Sequence, residues 1–65
     1  MESPGEYLKA ERKLRKLPLE EVAKFTKIKE DFLRPIEEDN YEILPPAIHL
    51  KGFLTIYARY LGFNP

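Results

Sequence analysis

The stretch EEVAKFTKIKEDFLRPIEE, residues 20–38, leaves this chain few folds to choose from. It reads as two short amphipathic helices joined by only Lys27, Ile28 and Lys29. Leu19, Val22, Ala23 and Thr26 recur at helical spacing and share one inner face. Phe32, Leu33 and Ile36 do the same on the second helix, and Ile28 is placed to tuck into the core and fix the angle between the two. A link this short forces a steep crossing, which is the layout of a helix-turn-helix. Two features sit oddly with a DNA-reading version. The second helix opens on Lys29-Glu30-Asp31, and it carries Pro35. Proline removes a backbone donor and crowds the preceding turn at about 3 kcal/mol when fully interior, so a kink or a helix of about two turns is expected.

The segments on either side are helical as well. In PGEYLKAERKLRKL, Tyr7, Ala10, Leu14 and Leu17 fall at steps of three and four and mark an inward face. Ser3 is placed as N-cap, Pro4 as first helical residue and Glu6 as the third member of a capping box. The opposite face carries Lys9, Arg12, Lys13 and Lys16, which reads either as a solvated charged face or as a phosphate-facing stripe. Pro18 ends this helix and starts the next, where Glu20 and Glu21 complement the positive helix end. EEDNYEILPP is an acidic and proline-rich loop, expected to be pinned by Tyr41, Ile43 and Leu44. The last element is AIHLKGFLTIYARYLGF, where Gly52 offers a break, Gly62 a C-cap, and Asn64-Pro65 a stop. No strand alternation and no repeat occurs. The fold class is all-α, a four- to five-helix bundle containing a repressor-like helix-turn-helix.

At 65 residues the chain makes one domain, burying about 60% of its unfolded surface. Lys+Arg and Asp+Glu each number 11, so the basic excess of a dedicated nucleic-acid binder is missing. No apolar run nears the roughly 18 residues that cross a bilayer, and no signal peptide is evident, so the chain as given reads as soluble. There is one histidine and no cysteine. Glu37, Glu38, Asp39 and Glu42 lack calcium-loop spacing, and the three glycines are isolated. A bundle this small leaves little room for a substrate pocket of about 300 Å³. Enzyme activity, a metal and a cofactor are accordingly not expected.

The last helix carries more apolar surface than one core face needs. Leu50, Leu54, Tyr57 and Leu61 form the core seam, and His49, Phe53, Ile56 and Tyr60 form a second row beside it. The two rows span roughly 160°, wider than the stripe of a surface helix. Either other parts of the fold cover the second row, or it meets a partner.

Residues 5–65 resemble the cytoplasmic N-terminal domain of the RodZ family of bacterial cytoskeleton proteins. The most specific part is Lys51-Gly52-Phe53-Leu54 with Tyr57-Ala58-Arg59-Tyr60-Leu61-Gly62. The resemblance implies a repressor-like (Xre/Cro-type) fold that binds the actin-like filament protein MreB. It also implies a place on the cytoplasmic side of the inner membrane, with the membrane reached only through a span that follows this domain. Alignment on Lys51-Gly52 puts the family's contact aromatics at His49 and Phe53. Ile56 and Tyr60 continue that row, with Lys51 as a rim group. His49 replaces a frequent aromatic, Thr55 replaces a frequent basic residue, and Pro35 is unusual for the family's third helix.

DNA binding is the alternative. A repressor-type recognition helix offers its first residues to base edges, here Lys29, Glu30, Asp31 and Arg34, while Arg12, Lys13, Lys16 and Lys27 are placed to anchor phosphates. Two leading carboxylates oppose the electrostatic attraction that supplies most non-specific affinity, and Leu19 offers no hydrogen bond to a phosphate. Nucleic acid is therefore disfavoured as a partner.

Overall fold

A computed structural model describes residues 3–63, and within them the architecture is four α-helices and one 3-10 turn, with no strand. The helices are α1 (Pro4–Leu14), α2 (Leu19–Thr26), α3 (Glu30–Glu37) and α4 (Leu50–Tyr60), and the 3-10 turn is Tyr41–Ile43. Gly52 does not split α4. The expected stop at Asn64-Pro65 lies outside the described residues.

α1 starts where its sequence says: Ser3 is extended, and its hydroxyl accepts from the Glu6 amide at 3.2 Å. Its inward face, however, differs from the expected one. Leu14 is 76% exposed and Tyr7 and Ala10 are also exposed, whereas Gly5 and Leu8 are buried and Arg12 is largely so. Gly5, Leu8 and Arg12 share one face at spacings of three and four. Gly5 is there because α1 runs against the end of α3. A Cβ at Gly5 would fall on the Ile36 carbonyl oxygen and within 2.6 Å of Asp39 Oδ1. The helix also ends three residues earlier than expected. Lys16 turns left-handed at φ 56°, and the Lys16 and Leu17 amides donate back to the Lys13 and Arg12 carbonyls, a Schellman ending.

Thr26 builds the turn between α2 and α3. Its hydroxyl donates to the Val22 carbonyl at 2.7 Å and accepts from the Ile28 amide at 3.2 Å. With Lys27 left-handed at φ 65°, this delivers Ile28 into the core. Pro35 sits inside α3 as its sixth residue, and the helix runs on for two residues beyond it. It is eight residues long and closes on a left-handed Asp39, with the Asn40 amide donating to the Pro35 carbonyl. Tyr41 and Leu44 hold the following loop, but Ile43, expected to help, is 63% exposed.

The core is Leu8, Val22, Ile28, Leu33, Ile36, Tyr57 and Leu61, drawn from all four helices and the turn. Leu50 and Leu54 are half-buried above it. α4 finishes on Gly62 at φ 95°, with the Phe63 amide donating to the Ala58 carbonyl at 2.9 Å.

Candidate functional site

The second apolar row of α4 is partly covered. Phe53 is half-buried against the core, tilted on Phe32 of α3 with ring centroids 6.4 Å apart. Tyr60 stacks on Phe25 of α2 at 5.9 Å, with the ring planes 15° apart. Between these two covered ends Ile56 remains 42% exposed, and Phe25 itself is 58% exposed. His49 is exposed at the head of α4, its imidazole lying back over Gly52. Sequence reasoning did not single out Phe25. Its signal was an aromatic one position off the inner face of an amphipathic helix.

Lys51 does not join this row. It lies round the helix with Thr55 and Ala58, and lines a shallow apolar groove of about 380 Å³ with Pro4, Tyr7 and Phe63. A groove of this size was not expected in so small a bundle. It is open and lined almost wholly by carbon, with no paired acid and base among its lining residues.

The proposed phosphate contacts are also dispersed. Arg12 is withdrawn from the surface. Its Nε and Nη2 donate to Glu37 at 2.7 and 3.0 Å, and its Nη1 donates to the Leu17 carbonyl at 2.8 Å. Three of its five N–H donors are thus engaged within the fold, which leaves little of the guanidinium to offer a phosphate. Arg34, on the outer face of α3, is held by Glu30 at 3.3 Å. Lys13 is exposed at the end of α1. Lys27 and Lys29 line a second shallow groove with Lys24, Ala23 and Ile28 at the α2–α3 turn.

Two carboxylates hold this framework rigid. Glu37 is 4% exposed and accepts from both Arg12 and the Tyr57 hydroxyl, tying α3 to α1 and α4. Burial, then the hydrogen bond to Glu37, pushes the Tyr57 hydroxyl well above its ordinary range, and Glu37 raises Arg12 further. Asp39 accepts from the Ser3 hydroxyl, the Tyr41 hydroxyl and, at 3.2 Å, the Gly5 amide. The Ser3 bond first, then that of Tyr41, holds its carboxyl below the ordinary value, while burial and Asp39 push Tyr41 up to about 12. Both carboxylates are structural ties rather than open reactive groups. Among the described residues no three His, Cys, Asp or Glu side chains group as metal ligands, and no helix is long and apolar enough to cross a membrane.

Comparison with known proteins matches residues 7–65 to a family described as a helix-turn-helix domain. An uncharacterized protein of Haemophilus influenzae is 35% identical over 60 residues, which cover 91% of this chain and 20% of that protein. An uncharacterized membrane protein of Bacillus subtilis, YmfM, is 31% identical over 48 residues, covering 74% of this chain and 17% of its own length. The chain thus spans about a fifth of the length of the curated relatives it matches. No solved structure matches.

Proposed function

The chain belongs to this helix-turn-helix domain family, and from that premise we propose that it uses the fold as a protein-docking adaptor rather than as a reader of DNA. The partner assigned is the actin-like filament protein MreB, following the resemblance to the RodZ family. The role is to link that filament to the membrane through a segment outside this domain, on the cytoplasmic face. One relative is named as a membrane protein, which agrees with a domain of this kind being joined to a membrane anchor.

The observation that carries the reading is Ile56, exposed between the half-buried Phe53 and the stacked Tyr60–Phe25 pair. An apolar and aromatic strip on a rigid helix is the composition of a protein-contact core. The helix that would read DNA supports the same view. It begins with Glu30 and Asp31, its one arginine is paired with Glu30, and Arg12 serves Glu37. What favours the DNA alternative is the groove shared by Lys24, Lys27 and Lys29, a short basic patch on a molecule of zero net charge.

Co-sedimentation with polymerised MreB tests the proposal. Phe53→Ala probes core as well as surface, so Ile56→Ser is the cleaner change. It should leave helicity intact and weaken binding by about tenfold or more, as loss of a central contact residue does. Arg34→Ala, on the outer face of α3, should leave filament binding unchanged. Filament binding that is indifferent to Ile56→Ser would place the contact elsewhere.

A further inference from the structure

The exposed aromatic strip does not end on α4. Phe25 lies parallel to Tyr60 and continues the surface of Ile56 onto α2. Lys24 Nζ sits 5.8 Å from the centre of the Phe25 ring, and Lys24 also lines the shallow groove of about 420 Å³ that holds Lys27 and Lys29 above Ala23 and Ile28. The three cations fall within six residues at the end of α2 and the turn after it. Among the described residues none of them is in ion-pair contact with a carboxylate; Glu30, the next residue, is held by Arg34. The result is one continuous surface, apolar and aromatic at Ile56, Tyr60 and Phe25, then basic at Lys24, Lys27 and Lys29.

We infer that the docking surface crosses from α4 onto α2, and that the element of the filament subunit seated on it is apolar at one end and acidic at the other. This rests on the adaptor reading above. Lys24, over the Phe25 ring, is the junction between the two halves. The aromatic half excludes water and holds the complex together. The basic half steers the partner and sets its register, because exposed complementary charge acts on encounter and orientation more than on final affinity. The lysines that would otherwise suggest DNA thus belong to the protein contact, which accounts for a basic patch beside a recognition helix headed by two acids.

The two halves separate experimentally by salt. Binding of this chain to MreB is measured at about 50 mM and about 500 mM salt, where exposed charges are respectively little and strongly screened. The variants are Phe25→Ser and the pair Lys24→Glu with Lys27→Glu, all at exposed positions, with helicity checked for each. Phe25→Ser should weaken binding about tenfold at both salt concentrations. The charge reversal should slow association about tenfold at low salt and have little effect at high salt. If both α2 variants bind like the parent while Ile56→Ser does not, the contact is confined to α4, and the inference fails with the adaptor reading intact. If the parent itself does not bind MreB, both fall together. If the charge reversal alters only retention of a DNA duplex, the lysines face nucleic acid and the inference is overturned.

Discussion

Arg12→Ala should come close to unfolding this domain, and the structure says by how much. Arg12 supplies Glu37 with two charge-assisted hydrogen bonds at 2.7 and 3.0 Å, and their side chains are 13% and 4% exposed. Removing the guanidinium leaves a carboxylate in the core with the Tyr57 hydroxyl as its remaining side-chain donor. Stranding a buried charge in this way costs about 3–5 kcal/mol. The bond to the Leu17 carbonyl at 2.8 Å adds up to about 1 kcal/mol, since water can partly replace it. A chain of this size has a total stability of roughly 3–10 kcal/mol, so the loss is comparable with the whole. In a domain this small each kcal/mol moves the melting temperature by about 4–8 °C. Circular dichroism on heating should therefore show a drop of more than about 12 °C, or no folded baseline at all. The exposed pairs Arg15–Glu11 and Arg34–Glu30 are the controls, each worth less than about 1 kcal/mol. Combining Arg12→Met, Glu37→Leu and Tyr57→Phe should recover much of the loss, because an apolar replacement strands no charge. A drop of under about 4 °C for Arg12→Ala would refute the reasoning.

Other consequences are equally measurable. Gly5→Ala should destabilise by at least about 2 kcal/mol in urea unfolding, because the added methyl meets the α3 backbone and the helices must part. Lys16→Gly should raise the melting temperature by up to about 5 °C, since a non-glycine residue at φ 56° carries about 1 kcal/mol of strain, of which the freer unfolded chain offsets at least about 0.4 kcal/mol. Stability should fall at both pH extremes. Asp39 is lowered in the fold, so its contribution is present above its ordinary 3.8 and is lost as pH falls below that value. Tyr41 and Tyr57 are raised, so their contribution is complete below the ordinary 10.0 and is lost as pH rises above it. Asp39→Asn should flatten the acid limb and Tyr57→Phe the alkaline limb of melting temperature against pH.

The helix-turn-helix was legible because its two faces are written in apolar residues. Val22, Leu33 and Ile36 follow the helical period, and Ile28 stands alone between lysines where a turn residue must be buried. α1 was misread for the same physical reason. Its inward face is Gly5, Leu8 and Arg12, and a search for apolar spacing passes over a glycine and an arginine. Gly5 is there for close approach to Ile36 and Arg12 for Glu37. Both requirements come from α3, more than twenty residues away in sequence, so no local pattern announces them. The endings of α1 and α3 were equally hidden, since each closes on a left-handed residue that is not glycine. On α4 the expected seam is buried at Tyr57 and Leu61, whereas Leu50 and Leu54 are only half-buried, as are Phe53 and Tyr60 of the second row. Periodicity could not say that Phe32 and Phe25 cover the ends of the second row and leave Ile56 between them, nor that Lys51 faces a different groove.

The central claim is that this fold meets a filament protein through α4 and α2 rather than DNA through α3. Amide chemical shifts of the labelled chain, recorded as MreB is added and again as a duplex DNA is added, test it residue by residue. The account predicts saturable changes with MreB at Phe25, His49, Ile56 and Tyr60, and little change at Asp31 and Arg34. DNA should produce only weak changes that vanish with salt. Changes centred on Lys29, Asp31 and Arg34 with DNA, and none with MreB, would contradict it.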